Sequence, residues 1–242
     1  MNLRTTNIKK KDSQPGQRKE TQGETDPQHE LRDRRELGQH VFEALAERFP
    51  DAHCELVHKN PFELLIATIL SAQCTDDRVN MVTRSLFDEL KTPEDYLALG
   101  REGLEERIKS LGLFHNKAKN ILALCRRLVD DYEGKVPADL EELQKLPGVG
   151  RKTANVVASN AFGIPALAVD THVFRVARRL GLAQGKTPDK VEEELKQVFE
   201  RKNWGKAHHL LIFQGRRICA ARKPQCSLCP LAKRCPGVQD GG

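Results

Sequence analysis

Apolar side chains recur along this chain at the three- and four-residue spacing of amphipathic helices, from residue 31 to residue 219. No segment alternates apolar and polar residues with the two-residue period of a half-buried β-strand. Asn60-Pro61, Thr92-Pro93 and Thr187-Pro188 each place a capping side chain directly before a proline, which is typical of a helix start. The pattern therefore predicts an all-α fold.

The N-terminal region divides into a polar tail and a helical part. Residues 1–30 are polar and mixed in charge, and we expect them to be disordered because they cannot bury enough apolar surface to fold alone. The first helix is predicted over residues 31–49. Residues 62–70 are almost wholly apolar, which predicts a buried central helix, and Asp76 is expected to cap the helix that follows.

A short hairpin that contains Gly148 and Gly150 joins two further predicted helices. Such a hairpin leaves backbone N–H groups bare at the start of the second helix, where they attract a phosphate, and Arg151 and Lys152 follow at once. The spacing lacks the third glycine of a dinucleotide-binding loop and the glycine that precedes the lysine of a P-loop. A plain corner between two helices remains the alternative to a phosphate site.

The sequence Leu146-Pro-Gly-Val-Gly-Arg-Lys-Thr-Ala-Asn-Val-Val157, with Val169-Asp-Thr-His172 downstream, resembles the helix-hairpin-helix and catalytic segment of the endonuclease III family. Members of that family are DNA glycosylases with a lyase activity, and the resemblance extends over roughly residues 31–237. It implies two helical lobes on either side of a DNA-binding cleft. One lobe is a six-helix module at 54–164, and the other, which carries an iron–sulfur cluster, combines 31–53 with 165–242.

The resemblance implies that Lys152 and Asp170 carry the chemistry. Lys152 would attack the sugar C1′ and form a Schiff base, and we expect the helix dipole and partial burial to favour its neutral amine. Asp170 would activate that amine or stabilise the positive charge that develops on the sugar. The alternatives are a phosphate contact for Lys152 and a simple helix cap for Asp170.

A base within a duplex must be flipped out before its glycosidic bond can be attacked, and flipping leaves a gap that a side chain must fill. By resemblance, Gln73 enters that gap and Leu113 wedges beside it. The alternatives are a solvated loop position for Gln73 and ordinary core packing for Leu113. Further contacts with the DNA backbone are expected at Gly148, Gly150, Arg151, Arg222 and Lys223.

Four of the seven cysteines follow the spacing C-x6-C-x2-C-x5-C in the basic C-terminal segment; they are Cys219, Cys226, Cys229 and Cys235. Four thiols in one short segment indicate a metal site in a reducing compartment, and the spacing alone leaves zinc and an iron–sulfur cluster open. The same pattern in endonuclease III implies one [4Fe–4S] cluster. Cys54, Cys74 and Cys125 are expected to be structural.

Charge is distributed unevenly along the 242 residues, whose formal net charge is +6. Residues 201–242 contain nine Lys and Arg and a single acid, Asp240, whereas the remainder holds 31 basic and 33 acidic residues. This placement indicates that a polyanion binds near the C-terminal end. The sequence has neither an apolar run of about eighteen residues nor an apolar secretory segment, so we expect no membrane association and a cytoplasmic location on the nucleoid.

The predicted function is base excision repair: removal of oxidised pyrimidines from double-stranded DNA by a monomeric enzyme, followed by β-elimination at the abasic site. An adenine mismatch glycosylase is the alternative within the same fold, but such enzymes lack a lysine at the position of Lys152 and carry a long additional C-terminal domain. The alternative from another class is a non-catalytic helix-hairpin-helix DNA-binding protein, which would not need both Lys152 and Asp170.

Overall fold

The structure is a computed structural model that describes residues 27–239, and these residues form eleven α-helices and no β-strand. The predicted all-α fold is thus confirmed. In chain order the helices are α1 (Pro27–Arg48), α2 (Pro61–Leu70), α3 (Asp76–Glu89), α4 (Pro93–Ile108), α5 (Phe114–Tyr132), α6 (Leu140–Lys145), α7 (Arg151–Phe162), α8 (Thr171–Arg179), α9 (Pro188–Val198), α10 (Trp204–Arg217) and α11 (Pro236–Gln239).

Helix α1 begins earlier than predicted and takes up the end of the expected tail. Residues 27–30, assigned above to a disordered tail over 1–30, form its first turn, with a proline at the start, where it is well tolerated. Glu30 lies 3.7 Å from Arg34 one turn later, an ion pair that favours this early start. The rest of the predicted tail, residues 1–26, lies outside the described residues. Within 27–239, no helix has the length and apolar character needed to cross a membrane.

The predicted caps Asn60, Thr92 and Thr187 agree with the structure, whereas the predicted cap Asp76 does not. The side chain of Asn60 accepts the backbone N–H of Glu63 at 2.9 Å, and Thr92 forms a capping box with Asp95. At α3 the cap is Thr75, and the expectation that Asp76 caps this helix was wrong. The Asp76 carboxylate instead pairs with Arg216 on α10, 2.7 Å away, because a charged partner binds it more strongly than a backbone amide.

The buried apolar residues form two separate cores, one for each lobe. The first core runs from Leu56 to Ala166 and surrounds α2, in which every residue from Phe62 to Leu70 is buried. The second core combines residues 41–52 of the α1 region with residues 167–235. The two-lobed helical fold implied by the resemblance is therefore present. The lobe limits given above, 54–164 for one and 31–53 with 165–242 for the other, remain a prediction.

A buried carboxylate on α9 connects the two lobes. The Glu192 side chain, only 4% exposed, accepts hydrogen bonds from Arg151 Nε at 2.9 Å and Nη2 at 3.0 Å, and from Asn155 Nδ2 at 3.0 Å. Lys196 adds a second cation. Burial alone would raise the pKa of Glu192, but the bonds from Arg151 and Lys196 outweigh it and the pKa is lowered. This cluster fixes the first turn of α7 against α9.

Glu192→Gln should reduce the free energy of unfolding, because it leaves the charges of Arg151 and Lys196 without their partner. We expect a loss of about 2–3 kcal/mol, at the lower end for a buried pair because the Arg151 side chain is 42% exposed. The measurement is urea unfolding followed by circular dichroism near pH 7.

Glu193→Gln, at the exposed neighbouring position, is the matched control and should change stability by less than about 0.5 kcal/mol. The difference in the free energy of unfolding between wild type and Glu192→Gln should also depend on pH. The folded-state pKa of Glu192 is lowered, so its stabilisation is present above the unfolded value near ~4.3 and is lost as the pH falls through the folded value. Equal stability of Glu192→Gln and Glu193→Gln near pH 7 would contradict the role of Glu192 as the buried partner of Arg151 and Lys196.

Candidate active site and DNA-binding surface

A cleft of about 740 Å³ lies where the loop after α2 faces the first turns of α7 and α8. A smaller cavity of about 60 Å³, called the inner cavity below, adjoins it. The residues that line both spaces are Ser71, Asp76, Lys152, Asp170 and Arg216. The cleft has the volume of a typical small-ligand site, and its walls come from both lobes.

Lys152 occupies the second position of α7 and lines both the cleft and the inner cavity. The partial burial expected from the sequence was wrong, because the first turn of α7 projects into the cleft and leaves the Lys152 side chain exposed. Among residues 27–239 nothing forms an ion pair or a hydrogen bond with its amine. The amine is therefore free to meet a bound substrate.

Asp170 both caps a helix and lines the cleft, although the sequence offered a helix cap and a role in the chemistry as alternatives. It caps α8, with Oδ1 accepting the backbone N–H groups of His172 and Val173, both at 2.8 Å. It also lines the cleft and the inner cavity together with Lys152. Since both capping bonds use Oδ1, Oδ2 remains available to the substrate side.

Arg216, on α10, forms ion pairs at the edge of the cleft that were not predicted from the sequence. Its Nη1 pairs with Asp76, 2.7 Å away, and with Glu55. Burial would lower the pKa of Arg216, but the bonds and charges of Asp76 and Glu55 outweigh it and raise the pKa. Its partners lie 140 and 161 residues away along the chain, so no local pattern could have revealed the cluster.

His208, also on α10, lines the inner cavity and was likewise missed. Its ring is 4% exposed, and Nδ1 lies 2.8 Å from the carbonyl oxygen of Ala168. Burial lowers the pKa of His208 more than the charge of Asp170 and the bond to Ala168 raise it. Within an apolar helix, a histidine looks like any other core position in sequence, and only the fold places it beside Lys152 and Asp170.

Gln73 and Leu113 both lie exposed in left-handed backbone conformations, with φ of 56° and 60°. Left-handed conformations are strained for residues other than glycine, and such strain is concentrated at functional sites. The Leu113 side chain is 53% exposed, so ordinary core packing does not explain it. Gln73 lines the cleft.

Two hydrogen bonds hold the Gln73 loop and the Leu113 loop together. Lys117, which is buried in the first turns of α5, donates from Nζ to Cys74 Sγ at 3.3 Å. Arg78 donates from Nε to the carbonyl oxygen of Ser110 at 2.9 Å. Cys74, expected from the sequence to be structural, is thus the hydrogen-bond acceptor of a buried lysine.

The two hairpin glycines differ in whether a residue with a side chain could take their place. Gly148 has φ of 77°, and a Cβ built on it would lie 2.9 Å from the Cβ of Asn120. Gly150 is the N-cap of α7, has ordinary φ and has open space where a Cβ would lie. Since no side chain caps α7, its first N–H groups face outward. Arg151, expected at a phosphate, gives one hydrogen bond from Nε and one from Nη2 to Glu192, which leaves its Nη1 for a phosphate.

The four C-terminal cysteines lie beside the second core, with Cys235 buried and the other three partly buried. Gln214 Nε2 donates to Cys229 Sγ at 3.2 Å and Arg179 Nη1 to Cys219 Sγ at 3.5 Å. Among the described residues, no three His, Cys, Asp or Glu side chains are gathered closely enough to hold one metal ion.

The neighbouring loop, residues 220–225, carries the exposed side chains of Arg222 and Lys223. Lys223 is left-handed, with φ of 53°. Arg179 anchors the start of this loop by donating to the carbonyl oxygens of Ala220 at 2.7 Å and Ala221 at 3.1 Å. The loop therefore presents two cations on a fixed backbone.

Arg175 links the cleft to this cysteine segment. Its Nη2 lies 3.2 Å from His172 Nδ1, and its Nε donates to the carbonyl oxygen of Cys219 at 3.1 Å. His172 itself lines the cleft. A single guanidinium thus fixes the first turn of α8 to the position of the first of the four cysteines.

Comparison with known proteins agrees with this geometry. Residues 66–201 match the HhH-GPD superfamily base excision DNA repair protein family. Endonuclease III of Rickettsia conorii is 56% identical over 195 residues, which cover 81% of this chain and 93% of that protein. Endonuclease III of Bacillus subtilis is 55% identical over 195 residues, covering 80% and 89%.

Solved structures give the same result. A trapped endonuclease III–DNA covalent intermediate superposes with a TM-score of 0.83 at 53% identity, covering 85% of this chain and 97% of that chain. A thermostable thymine-DNA glycosylase has a TM-score of 0.74 at 24% identity, which supports the fold alone, over 88% and 98% of the two chains. Fold and site thus define a base excision DNA repair protein of the HhH-GPD superfamily. Within that superfamily, the chain belongs to the endonuclease III family, and it is a DNA glycosylase with an associated lyase activity.

Gly148→Ala should destabilise the hairpin, because alanine in a left-handed conformation costs about 1–2 kcal/mol and its Cβ would press on Asn120. Gly150→Ala is the matched control; it meets no neighbour and should cost about 0.5 kcal/mol. Urea unfolding of both variants measures the difference. Equal stability would show that the conformation of Gly148 is not constrained.

Proposed function

We propose that this chain removes oxidised or ring-saturated pyrimidines from double-stranded DNA, with Lys152 as the nucleophile and Asp170 as its partner. One observation carries the proposal: the free amine of Lys152 and the carboxylate of Asp170 line the same cleft and the same inner cavity, at the first turns of two adjacent helices. A non-catalytic DNA-binding protein has no need of this pair, and no observation favours an adenine mismatch glycosylase.

The proposed reaction begins when Lys152 Nζ attacks C1′ and the bond from C1′ to the base breaks. The base leaves with the electron pair and takes up a proton. The C1′–O4′ bond then breaks, O4′ takes up a proton, and C1′ is left joined to Nζ as a Schiff base. Asp170 accepts the proton that Nζ loses, or stabilises the positive charge on the sugar. The Schiff base acidifies the C2′ proton, so its removal expels the 3′ phosphate by β-elimination.

Gln73 and Leu113 are proposed to occupy the duplex when the damaged base leaves it. Both side chains are exposed on strained backbone, in loops that Cys74–Lys117 and Arg78–Ser110 contacts hold together. An apolar side chain such as Leu113 gains free energy by stacking against bases instead of facing water. The Gln73 amide offers both a donor and an acceptor to the opposite base, which suits tolerance of A or G there.

The lining of the cleft supports the lesion class. The cleft is lined by the ion pair of Asp76 and Arg216, and within the described residues Phe174 is its one Phe, Tyr or Trp side chain. A wall of hydrogen-bonding groups suits a saturated, non-planar ring better than a planar one, which would gain more from aromatic stacking. Extrusion of a saturated base also costs less, because such a base stacks poorly in the duplex.

The DNA backbone is proposed to contact the hairpin and the C-terminal loop. Gly148 and Gly150 present the uncapped N–H groups of α7, and Arg151 can add Nη1. Arg222 and Lys223 are exposed on the anchored loop. We expect these contacts to make binding depend on salt rather than on sequence.

The endonuclease III family is generally associated with a [4Fe–4S] cluster, and we propose that Cys219, Cys226, Cys229 and Cys235 hold one in this chain. Four cysteine thiolates can also hold a zinc ion, at about 2.3 Å from one centre, and it is the family that favours the cluster. Four cysteine thiolates are the donor set of a four-iron cluster. When bound, the cluster would join the segment to the second core and rigidify the loop of Arg222 and Lys223.

We further propose that the enzyme acts as a monomer on the DNA of the nucleoid, in the cytoplasm. Residues 201–242 hold nine Lys and Arg and a single acid, and this concentration of positive charge in one segment suits one duplex per chain.

The substrate proposal predicts release of thymine glycol opposite either purine, followed by strand cleavage without added alkali. Uracil in DNA and adenine opposite 8-oxoguanine should remain nearly intact, because both bases stack well and keep strong glycosidic bonds. The measurement is a gel assay on these labelled duplexes with and without alkali. Lys152→Gln should lose cleavage yet keep duplex binding, and Lys145→Gln, on the exposed end of α6, is its control. Adenine excision without thymine glycol cleavage would contradict the proposal.

The cluster proposal predicts a yellow-brown protein with about four irons per chain after anaerobic purification. Replacing Cys226 or Cys229 by serine should give colourless or insoluble protein, whereas Cys54→Ala, outside the segment, should keep the colour. Elemental analysis is the measurement, and zinc in place of iron would overturn the proposal.

A further inference from the structure

The buried imidazole of His208 offers an unused acceptor to the inner cavity. Its Nδ1 lies 2.8 Å from the carbonyl oxygen of Ala168, and since a carbonyl only accepts, Nδ1 carries the hydrogen. Burial lowers the pKa of His208, so the ring is neutral and Nε2 keeps its lone pair. Among residues 27–239 no group bonds to Nε2.

The Nε2 atom of His208 is not fully enclosed by the protein. Within the described residues, the enclosed side-chain nitrogen and oxygen atoms without a partner are those of Arg34, Tyr96 and Gln214. The Nε2 atom of His208 is not one of them, although its residue is only 4% exposed. It therefore keeps an open side, and the space that His208 lines is the inner cavity.

The inner cavity has the size and lining of a water site. Its volume is about 60 Å³, whereas one water requires roughly 10–15 Å³ and two to four polar partners. Asp170 and Lys152 line the same cavity, close enough that their charges act on the His208 ring. Asp170 keeps Oδ2 free of the helix cap. Nε2 and Oδ2 are thus two acceptors that can hold one water.

The proposed lyase reaction requires such a water in its last step. After β-elimination, Lys152 is still joined to C1′ of the cleaved sugar as a Schiff base. To release it, the oxygen of one water must bond to C1′ and give up a proton. The C1′–Nζ bond then breaks, its electron pair and a proton go to Nζ, and C1′ is left as an aldehyde. Without this step the enzyme acts only once.

We propose that His208 Nε2 and Asp170 hold the water that hydrolyses the Schiff base on Lys152, and that Asp170 takes its proton. This inference rests on the proposed role of Lys152 and concerns a later step than base excision. Lys152 lines the inner cavity as well as the cleft, so a water held in that cavity lies beside the residue that carries the Schiff base.

The adjacent histidine provides a matched control. His209 also lines the inner cavity and packs against His208 with ring centroids 4.9 Å apart. Its Nε2, however, is already bonded to Asn160 Oδ1 at 2.8 Å. Substitution of His209 disturbs the same region without removing the free acceptor.

The test measures decay of the covalent complex. Enzyme is mixed with labelled abasic duplex, excess unlabelled duplex is added, and samples are reduced with borohydride at intervals. The fraction still trapped then reports hydrolysis of the Schiff base directly, independent of DNA release. His208→Phe, which has no acceptor, should form the trapped complex at the wild-type rate but lose it at least tenfold more slowly. His208→Gln and His209→Gln should decay within about threefold of wild type.

Wild-type decay of the trapped complex in His208→Phe would overturn the inference, and so would an equal slowing in His209→Gln. Circular dichroism melting checks that each variant is folded, and His208→Leu replaces the phenylalanine variant if that one does not fold. Failure of the wild-type enzyme to form any trapped complex would instead contradict the proposed role of Lys152, so the two failures are distinguishable.

Discussion

The relative position of the proposed catalytic groups, Lys152 and Asp170, depends on one buried carboxylate, Glu192. It holds Arg151, the residue next to Lys152, and it also holds Asn155 one turn further along α7. The same Asn155 amide donates to the carbonyl oxygen of Leu167 at 3.1 Å, three residues before Asp170. Glu192 therefore connects the helix that carries Lys152 with the segment that carries Asp170, although the two lie in different cores. Because a carboxylate in this position needs its cations, the two lobes cannot separate without exposing unpaired charge.

Strain in the backbone marks the surface expected to meet DNA. The described residues other than glycine with positive φ are Gln73, Leu113, Glu133 and Lys223. Glu133 follows α5 as an ordinary left-handed helix cap. The other three are residues that the sequence assigned to DNA contacts, and each lies in a loop fixed by a buried or anchored basic residue, Lys117 or Arg179. Such anchoring lets the fold retain conformations that cost about 1–2 kcal/mol each.

Whether a feature could be predicted from the sequence depends on how far apart along the chain its interacting residues lie. The helix caps at Asn60, Thr92 and Asp170 each bond to backbone N–H groups within three residues. Local sequence patterns were therefore sufficient to predict them. The pairing of Asp76 with Arg216 spans 140 residues, and this is why Asp76 was taken for a cap. Glu192 and His208 look in sequence like a surface glutamate and a core position, and only packing gives them partners. The exposure of Lys152 was missed because the direction of the first turn of α7 is set by the same long-range contacts.

The central claim is that Lys152 forms the covalent bond with the sugar. The most direct measurement is to reduce the enzyme with borohydride on abasic DNA, digest the product and locate the sugar adduct by mass spectrometry. We expect the adduct on Nζ of Lys152 and none in Lys152→Gln. An adduct on another lysine or on the N-terminal amine, at a yield similar to that of the wild type when Lys152 is replaced, would contradict this claim.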